Sequence, residues 1–114
     1  MKRQAQSTLD RTYTNESALQ RDVLKWLRQH ERDGIKALRI CDRYAKGYSD
    51  IFICVRGIFV VVELKDDSGK PTPHQLLFIE EMQRCGAIGG ICRTVGEVVD
   101  LVEQAKLQAK HKAP

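Results

Sequence analysis

The sequence lacks any hydrophobic run long enough to cross a membrane. No apolar stretch approaches the roughly eighteen consecutive residues that suggest a transmembrane helix. The amino-terminal residues MKRQAQSTLDRTYT also lack the apolar segment of a secretory signal peptide. We therefore expect a cytoplasmic protein with no membrane partner.

Cysteines are few, and their spacing does not suit a structural zinc site. The chain has 4 cysteines, with no C-x-x-C pair and no companion histidine spacing. Zinc sites depend on such clustered ligands. Cys41, Cys54 and Cys92 fall in apolar, strand-like runs. In the cytosol such a thiol is ordinarily a small buried hydrophobe that stays reduced.

The charge balance is mildly basic. Lysine and arginine number 19 against 15 acidic residues, which gives a net charge of +4 at neutral pH. This excess permits a polyanionic partner but is weak evidence for one by itself. With 114 residues, the chain is long enough for one small domain with a single core.

The most informative stretch is DIFICVRGIFVVVELK, residues 50–65. Two runs rich in β-branched and aromatic residues, 51–55 and 58–62, are separated only by Arg56-Gly57. This pattern predicts a β-hairpin with a two-residue turn. In that register Val55 pairs with Ile58.

Charged residues stand at the open end of this predicted hairpin. Continuing the register places Asp50 directly opposite Glu63, and Lys65 points to the same face. Like charges at opposed positions destabilise a sheet. A divalent cation with oxygen ligands would offset the repulsion directly. The alternative is that the two acids only solvate the end of the hairpin, with Lys65 as a surface ion-pair partner.

A first helix is predicted from Thr14 or Asn15 to about Gln29. Its amphipathic spacing rests on Leu19, Val23, Trp26 and Leu27. Glu16 points from the middle of that apolar face, and a core helix rarely aims a carboxylate inward without a partner. A strand at 37–41 and a loop at 42–49 lead from this helix to the hairpin.

The second half of the sequence predicts a helix, a strand and a last helix. Thr72, Pro73 and Gln75 form a helix start with a capping box, and Gly86 ends that helix. Its predicted buried stripe is Leu76, Ile79 and Met82. A strand at 87–92 and a helix opened by Thr94 and Glu97 and running through Ala105 follow. The predicted order is α-β-β-β-α-β-α, an α/β domain with a mixed sheet.

These elements divide the chain into three predicted segments. Residues 1–13 form a loose polar arm, residues 14–106 form the domain, and residues 107–114 form a basic tail.

The polar groups of four elements suit one chemistry. Two carboxylates on adjacent strands can hold Mg²⁺ or Mn²⁺, and a nearby lysine can stabilise charge that develops on a phosphoryl oxygen. The set Asp50, Glu63 and Lys65 therefore favours phosphodiester hydrolysis. Gln75 is equally well explained as a helix cap and as a member of the site.

The ordered motifs resemble a known family. GYSD at 47–50, ELK at 63–65 and GKPTPHQ at 69–75 are similar to the VRR-NUC branch of the PD-(D/E)XK nuclease superfamily. The resemblance implies a restriction-endonuclease-like core and a Mg²⁺- or Mn²⁺-dependent DNA nuclease. It implies Asp50 and Glu63 as metal ligands and Lys65 as the catalytic lysine. Glu16 matches the acidic residue that the family has on its first helix, and we expect it to be a third metal ligand. Ser49 departs from the proline that the family often has there.

Basic and aromatic residues surround these motifs. The candidate DNA contacts, through phosphates or stacked bases, are Arg39, Arg43, Tyr44, Lys46, Tyr48 and Lys70. Because nucleases of this type resemble junction resolvases, we expect a homodimer acting on branched DNA. The alternatives are a DNA-binding module of nuclease fold that does not cut, and a structural domain that binds a partner. Glycosidase chemistry also uses paired acids, but lysine and basic loops suit a phosphodiester better.

Overall fold

The computed structural model describes residues 8–40 and 51–112. The elements are α1 (Glu16–Gln29), a 3₁₀ turn (Glu31–Asp33), β1 (Ile35–Arg39), β2 (Ile51–Val55), β3 (Ile58–Leu64), α2 (Pro73–Arg84), β4 (Ile88–Cys92) and α3 (Val95–Lys112). Their order is the predicted one.

The four strands form one mixed sheet in the order β1-β2-β3-β4. The pairs β1·β2 and β2·β3 are antiparallel, and β3·β4 is parallel. A Cβ atom on Gly89 would meet Ile79 of α2, whereas one on Gly90 would meet Leu101 of α3. Since successive strand residues point to opposite faces, α2 and α3 cover opposite faces. The mixed sheet flanked by helices is consistent with the predicted restriction-endonuclease-like fold.

The hairpin has the predicted register. Ile51 pairs with Val62, Ile53 with Val60, and Val55 with Ile58. Arg56 and Gly57 have φ angles of 52° and 88°, the left-handed pair that a type I′ turn requires. The Arg56 side chain is held there because its Nε donates to the backbone oxygen of Asp33 at 2.8 Å.

The main core lies between the sheet and the pair α1 and α3. Alternate residues of β2 and β3 point into it, together with the apolar stripe of α1. Its fully buried members include Leu19, Val23, Leu27, Ile51, Ile53, Val55, Val60, Val62 and Leu64. The opposite face of β3 carries Phe59, Val61 and Glu63, since these residues alternate with the core positions.

Two predicted details are wrong. The first strand was predicted to begin at residue 37, but it begins at Ile35, because that buried residue pairs with Val55 beside the hairpin turn. In α2 only Ile79 is buried, whereas Leu76 is 49% exposed and Met82 is half-buried. The helix packs on β3 and β4, and Phe78 stacks on Phe52 of β2, so Phe78 and Ile79 rather than the whole predicted stripe face the sheet.

The structure also tests predictions made for individual residues and for the two ends of the domain. Cys92 is buried, but Cys54 is exposed, and Cys41 lies outside the described residues. Tyr13, assigned to the arm, is a core residue at 3% exposure, and α3 continues past Leu107 to Lys112. The three segment boundaries stay predictions.

Within residues 8–40 and 51–112, no helix combines the length and the apolar character needed to span a bilayer.

Candidate functional site

Glu63 is the centre of the candidate site. It lies on β3 between Val62 and Leu64, and it is 1% exposed. A buried carboxylate is costly unless polar groups compensate its lost hydration. Gln75 Nε2 donates a hydrogen bond to Glu63 Oε2 at 2.7 Å. The carboxylate is therefore held from the α2 side.

The same glutamine caps its own helix. Its backbone N–H donates to Thr72 Oγ1 at 3.2 Å, and its Oε1 accepts from the Thr72 backbone N–H at 2.8 Å. Because the amide oxygen is used in this capping box, the amide nitrogen is directed to Glu63. Gln75 therefore caps α2 and at the same time contacts the carboxylate of Glu63.

Lys65 joins two carboxylates. Its Nζ lies 3.5 Å from Glu63 Oε2 and 3.9 Å from Glu16 Oε1. The lysine side chain is 14% exposed, whereas that of Glu16 is 44% exposed. Asn15 caps α1 by accepting from the Ala18 N–H, which sets Glu16 in the first helical turn. The site thus combines β3, the start of α1 and the start of α2.

A tight turn follows Lys65. Asp66 Oδ1 accepts hydrogen bonds from the backbone N–H groups of Ser68 and Gly69, at 3.2 Å and 2.7 Å. A Cβ atom on Gly69 would lie 3.1 Å from Asp66 Oδ1 and 3.5 Å from Lys65 Cδ. The glycine of the GKPTPHQ motif therefore leaves room for the turn beside the lysine. Lys70 comes directly after this turn and is exposed.

Arg93 holds this turn from the end of β4. Its Nη1 donates to the backbone oxygens of Asp66 and Gly69, at 2.5 Å and 2.7 Å. Neither Asp66 nor Arg93 was among the site residues predicted from the sequence. The Asp-x-Ser-Gly spacing is a recognisable Asx-turn signal, but nothing near Arg93 in the sequence indicates a contact with residue 66.

Tyr13 ties the segment before α1 to the same region. Its backbone oxygen accepts from the Asp67 N–H at 2.8 Å, and its hydroxyl donates to Asp22 Oδ2 at 2.6 Å. Burial, then the hydrogen bond and charge of Asp22, raise the pKa of Tyr13 to about 12. The phenol therefore stays protonated and keeps donating at neutral pH.

The structure brings four predicted site residues together: Glu16, Glu63, Lys65 and Gln75. The other predicted ligand and four predicted DNA contacts lie outside the described residues: Asp50, Arg43, Tyr44, Lys46 and Tyr48. The residue that follows Asp50, Ile51, pairs with Val62.

Two of the described side chains carry the oxygen donors that a hard divalent cation binds. Within the described ranges no three Asp, Glu, His or Cys side chains gather as a complete ligand set. However, Glu63 and Glu16 offer carboxylate oxygens around a common ammonium group, and carboxylate oxygen is the ligand that Mg²⁺ and Mn²⁺ favour. Lys65 supplies the positive charge that those oxygens face in this structure.

Comparison with known proteins gives one informative match. No protein-family model matches the sequence, and no curated protein matches it. A solved structure described as a VRR_NUC domain is 27% identical and superposes with a TM-score of 0.62. The match covers 80% of this chain and 97% of the other. It confirms the resemblance that the motifs predict, and it supports a nuclease-type domain similar to the VRR-NUC domain.

Proposed function

We propose that this protein is a metal-dependent DNA nuclease whose site is built on Glu63, Lys65, Glu16 and Asp50. The observation that carries the proposal is the burial of Glu63 on β3 with Lys65 and Gln75 against its carboxylate. A strand chosen for stability alone would place an apolar residue at this position, as it does at Val61 on the same face. A buried ion pair is weak evidence for stability, so a carboxylate kept at this position favours a functional role.

The proposed roles follow from the positions of the described residues and, for Asp50, from the resemblance to the VRR-NUC family. Glu63, Asp50 and Glu16 would hold Mg²⁺ or Mn²⁺, and Gln75 orients the Glu63 carboxylate through its hydrogen bond. When bound, such a cation polarises a phosphoryl oxygen and lowers the pKa of a coordinated water.

Lys65 places its side-chain nitrogen beside Glu63, where it would stabilise the negative charge that develops on the phosphate during hydrolysis. A purely structural ion pair would explain the contact with Glu63. It would not explain why a second carboxylate, Glu16, converges on the same nitrogen.

We further propose that the substrate is branched DNA and that the active form is a two-fold dimer. Support for the first comes from the resemblance to junction resolvases. Support for the second comes from apolar surface that a second copy would cover, because Leu38 is 63% and Phe59 is 40% exposed.

The test uses purified protein with linear duplex, flap and four-way junction DNA, each in Mg²⁺, Mn²⁺ or EDTA. We expect cutting in either cation and none in EDTA. The Glu63→Gln variant should lose cutting, and Glu80→Gln, which alters an exposed ion pair on α2, should keep it. Equal cutting in EDTA would contradict the metal mechanism. Binding without cutting in every cation would favour the non-cleaving DNA-binding module.

A further inference from the structure

A groove lined by arginines runs between α1 and β1. One part is a cavity of about 300 Å³ lined by Ser17, Gln20, Arg21, Leu24, Arg28 and Arg39. A neighbouring cavity of about 170 Å³ shares Leu24, Arg28 and Arg39. The two therefore form one continuous surface, which we call the arginine groove.

The helical wall of the groove is a single stripe of α1. Positions 17, 20, 21, 24 and 28 recur at the three- and four-residue spacing that places side chains on one side of a helix. The core stripe of the same helix is Leu19, Val23 and Leu27. Arg39, the last residue of β1, completes the opposite wall, and all 3 arginines are exposed.

The positive charge of the groove is largely uncompensated. Arg21 lies 3.8 Å from Asp22, but its side chain is 73% exposed, so solvent screens that pair. In the part of the chain that the structure describes, Arg28 and Arg39 form no ion pair. Glu31 at the far end is bound by Lys36 at 3.0 Å.

The groove opens beside the candidate site. Ser17, which lines it, directly follows Glu16, the partner of Lys65. Arg39 pairs with Ile51, and Ile51 pairs with Val62, the residue before Glu63. Two steps between neighbouring strands separate Arg39 from Val62, which is about 10 Å. The groove and the site therefore meet at one end of the sheet.

We propose that the arginine groove binds the phosphate backbone of the DNA that passes through the candidate site. This inference rests on the proposed nuclease function and adds a binding surface to it. Guanidinium groups match phosphate oxygens in a bidentate manner. Arg21 and Arg28 are separated by about 10 Å along the helix axis. At about 3.4 Å of rise per phosphate on one strand, that distance corresponds to about three phosphates.

The test measures DNA affinity against salt concentration for duplex and single-stranded oligonucleotides. It is done in Ca²⁺, which fills oxygen sites but positions an attacking water less tightly than Mg²⁺. The variant is Arg28→Gln with Arg39→Gln. The matched control, Arg84→Gln with Lys110→Gln, removes the same charge from exposed positions outside the groove. The plot of log affinity against log salt concentration has a negative slope. On duplex DNA this slope should be shallower by about 1.8 for the groove variant, since each of the two lost phosphate contacts contributes about 0.9.

The control should keep the parent slope, and Arg28→Lys with Arg39→Lys should keep most of it because the charge remains. If the parent binds and cuts DNA while the groove variant keeps its affinity and slope, the groove proposal fails and the nuclease proposal stands. A parent that neither binds nor cuts DNA overturns both. The parent could also bind DNA without ever cutting it. If the salt dependence then becomes shallower in the groove variant alone, the result supports the groove proposal and overturns the proposed cleavage.

Discussion

The side-chain amide of Gln75 donates to the buried carboxylate of Glu63 at 2.7 Å while its oxygen caps α2. The start of α2 and the charged end of β3 are therefore fixed to each other by one side chain. Helix position and carboxylate orientation depend on the same residue, and substitutions can separate the two effects.

Replacing Gln75 should harm the site more than removing the cap alone. Thr72→Ala removes the acceptor of the Gln75 N–H and should lower the free energy of unfolding by about 1 kcal/mol, with little effect on cutting. Gln75→Ala should cost similar stability and also slow cutting, because Glu63 loses its donor. Thermal melts and initial rates on the same DNA distinguish them. Equal rates for the two variants would mean that Gln75 acts only as a cap.

Lys65→Ala should leave DNA binding largely intact and slow hydrolysis about 10²- to 10³-fold. The reason is that an ammonium group beside the phosphate acts mainly on charge that develops in the transition state. Single-turnover rates at saturating DNA measure this effect separately from affinity. Lys70→Ala, which changes the exposed lysine after the turn, is the control and should affect affinity more than rate. A Lys65→Ala protein that cuts at the parent rate would make Lys65 structural.

Arg93→Met should loosen the turn at residues 66–69. It keeps the aliphatic stem but removes both hydrogen bonds to the carbonyls of Asp66 and Gly69, and bonds from a charged donor contribute about 1.5 to 3 kcal/mol. We expect faster cleavage before Asp67, which is exposed in this turn, by a protease that cuts on the amino side of aspartate, and a lower melting temperature. Arg84→Met, on the exposed end of α2, is the matched control. Unchanged proteolysis before Asp67 would show that the turn holds its shape without Arg93.

Tyr13→Phe should change the alkaline pH dependence of stability. The pKa of Tyr13 rises from 10.0 to about 12 in the folded protein, so the protonated phenol stabilises the native state. That stabilisation is complete below the unfolded pKa and is lost as pH rises through the folded pKa. Between pH 10 and 12 the free energy of unfolding should therefore fall more steeply for the parent than for Tyr13→Phe.

Urea unfolding at several pH values measures this difference. Burial also raises the pKa of Cys92 to about 12, but that thiol is present in both proteins and does not affect the comparison. Parallel curves for parent and variant would contradict the assigned role of Tyr13.

The sequence predicts the features that depend on neighbouring residues. A two-residue turn fixes the register of its hairpin, so the pairing of Ile51 with Val62 follows from Arg56-Gly57 alone. The capping box at Thr72 and Gln75 and the place of Glu16 in the first turn of α1 are equally local, although the Glu16 side chain is 44% exposed rather than directed into the core. Each of these signals lies within one helical turn or one hairpin.

Features that depend on distant residues were not predicted. The contact between Arg93 and Asp66 joins two loops that only the parallel pairing of β3 with β4 brings together. The exposure of Leu76 depends on how many strands α2 covers, which amphipathic spacing does not reveal. Arg21 and Arg28 have the appearance of ordinary solvent-facing helix residues until β1 places Arg39 opposite them.

The position of β3 inside the sheet has a consequence for dynamics. It is hydrogen-bonded to β2 on one side and to β4 on the other, and the Lys65 N–H extends the second ladder by donating to Cys92 O at 3.1 Å. Inner strands open only in the rarest, near-global fluctuations of a protein. The backbone amides of Glu63 and Lys65 should accordingly be among the slowest to exchange with deuterium. The two side chains proposed to act in hydrolysis are therefore carried by a strand that opens rarely.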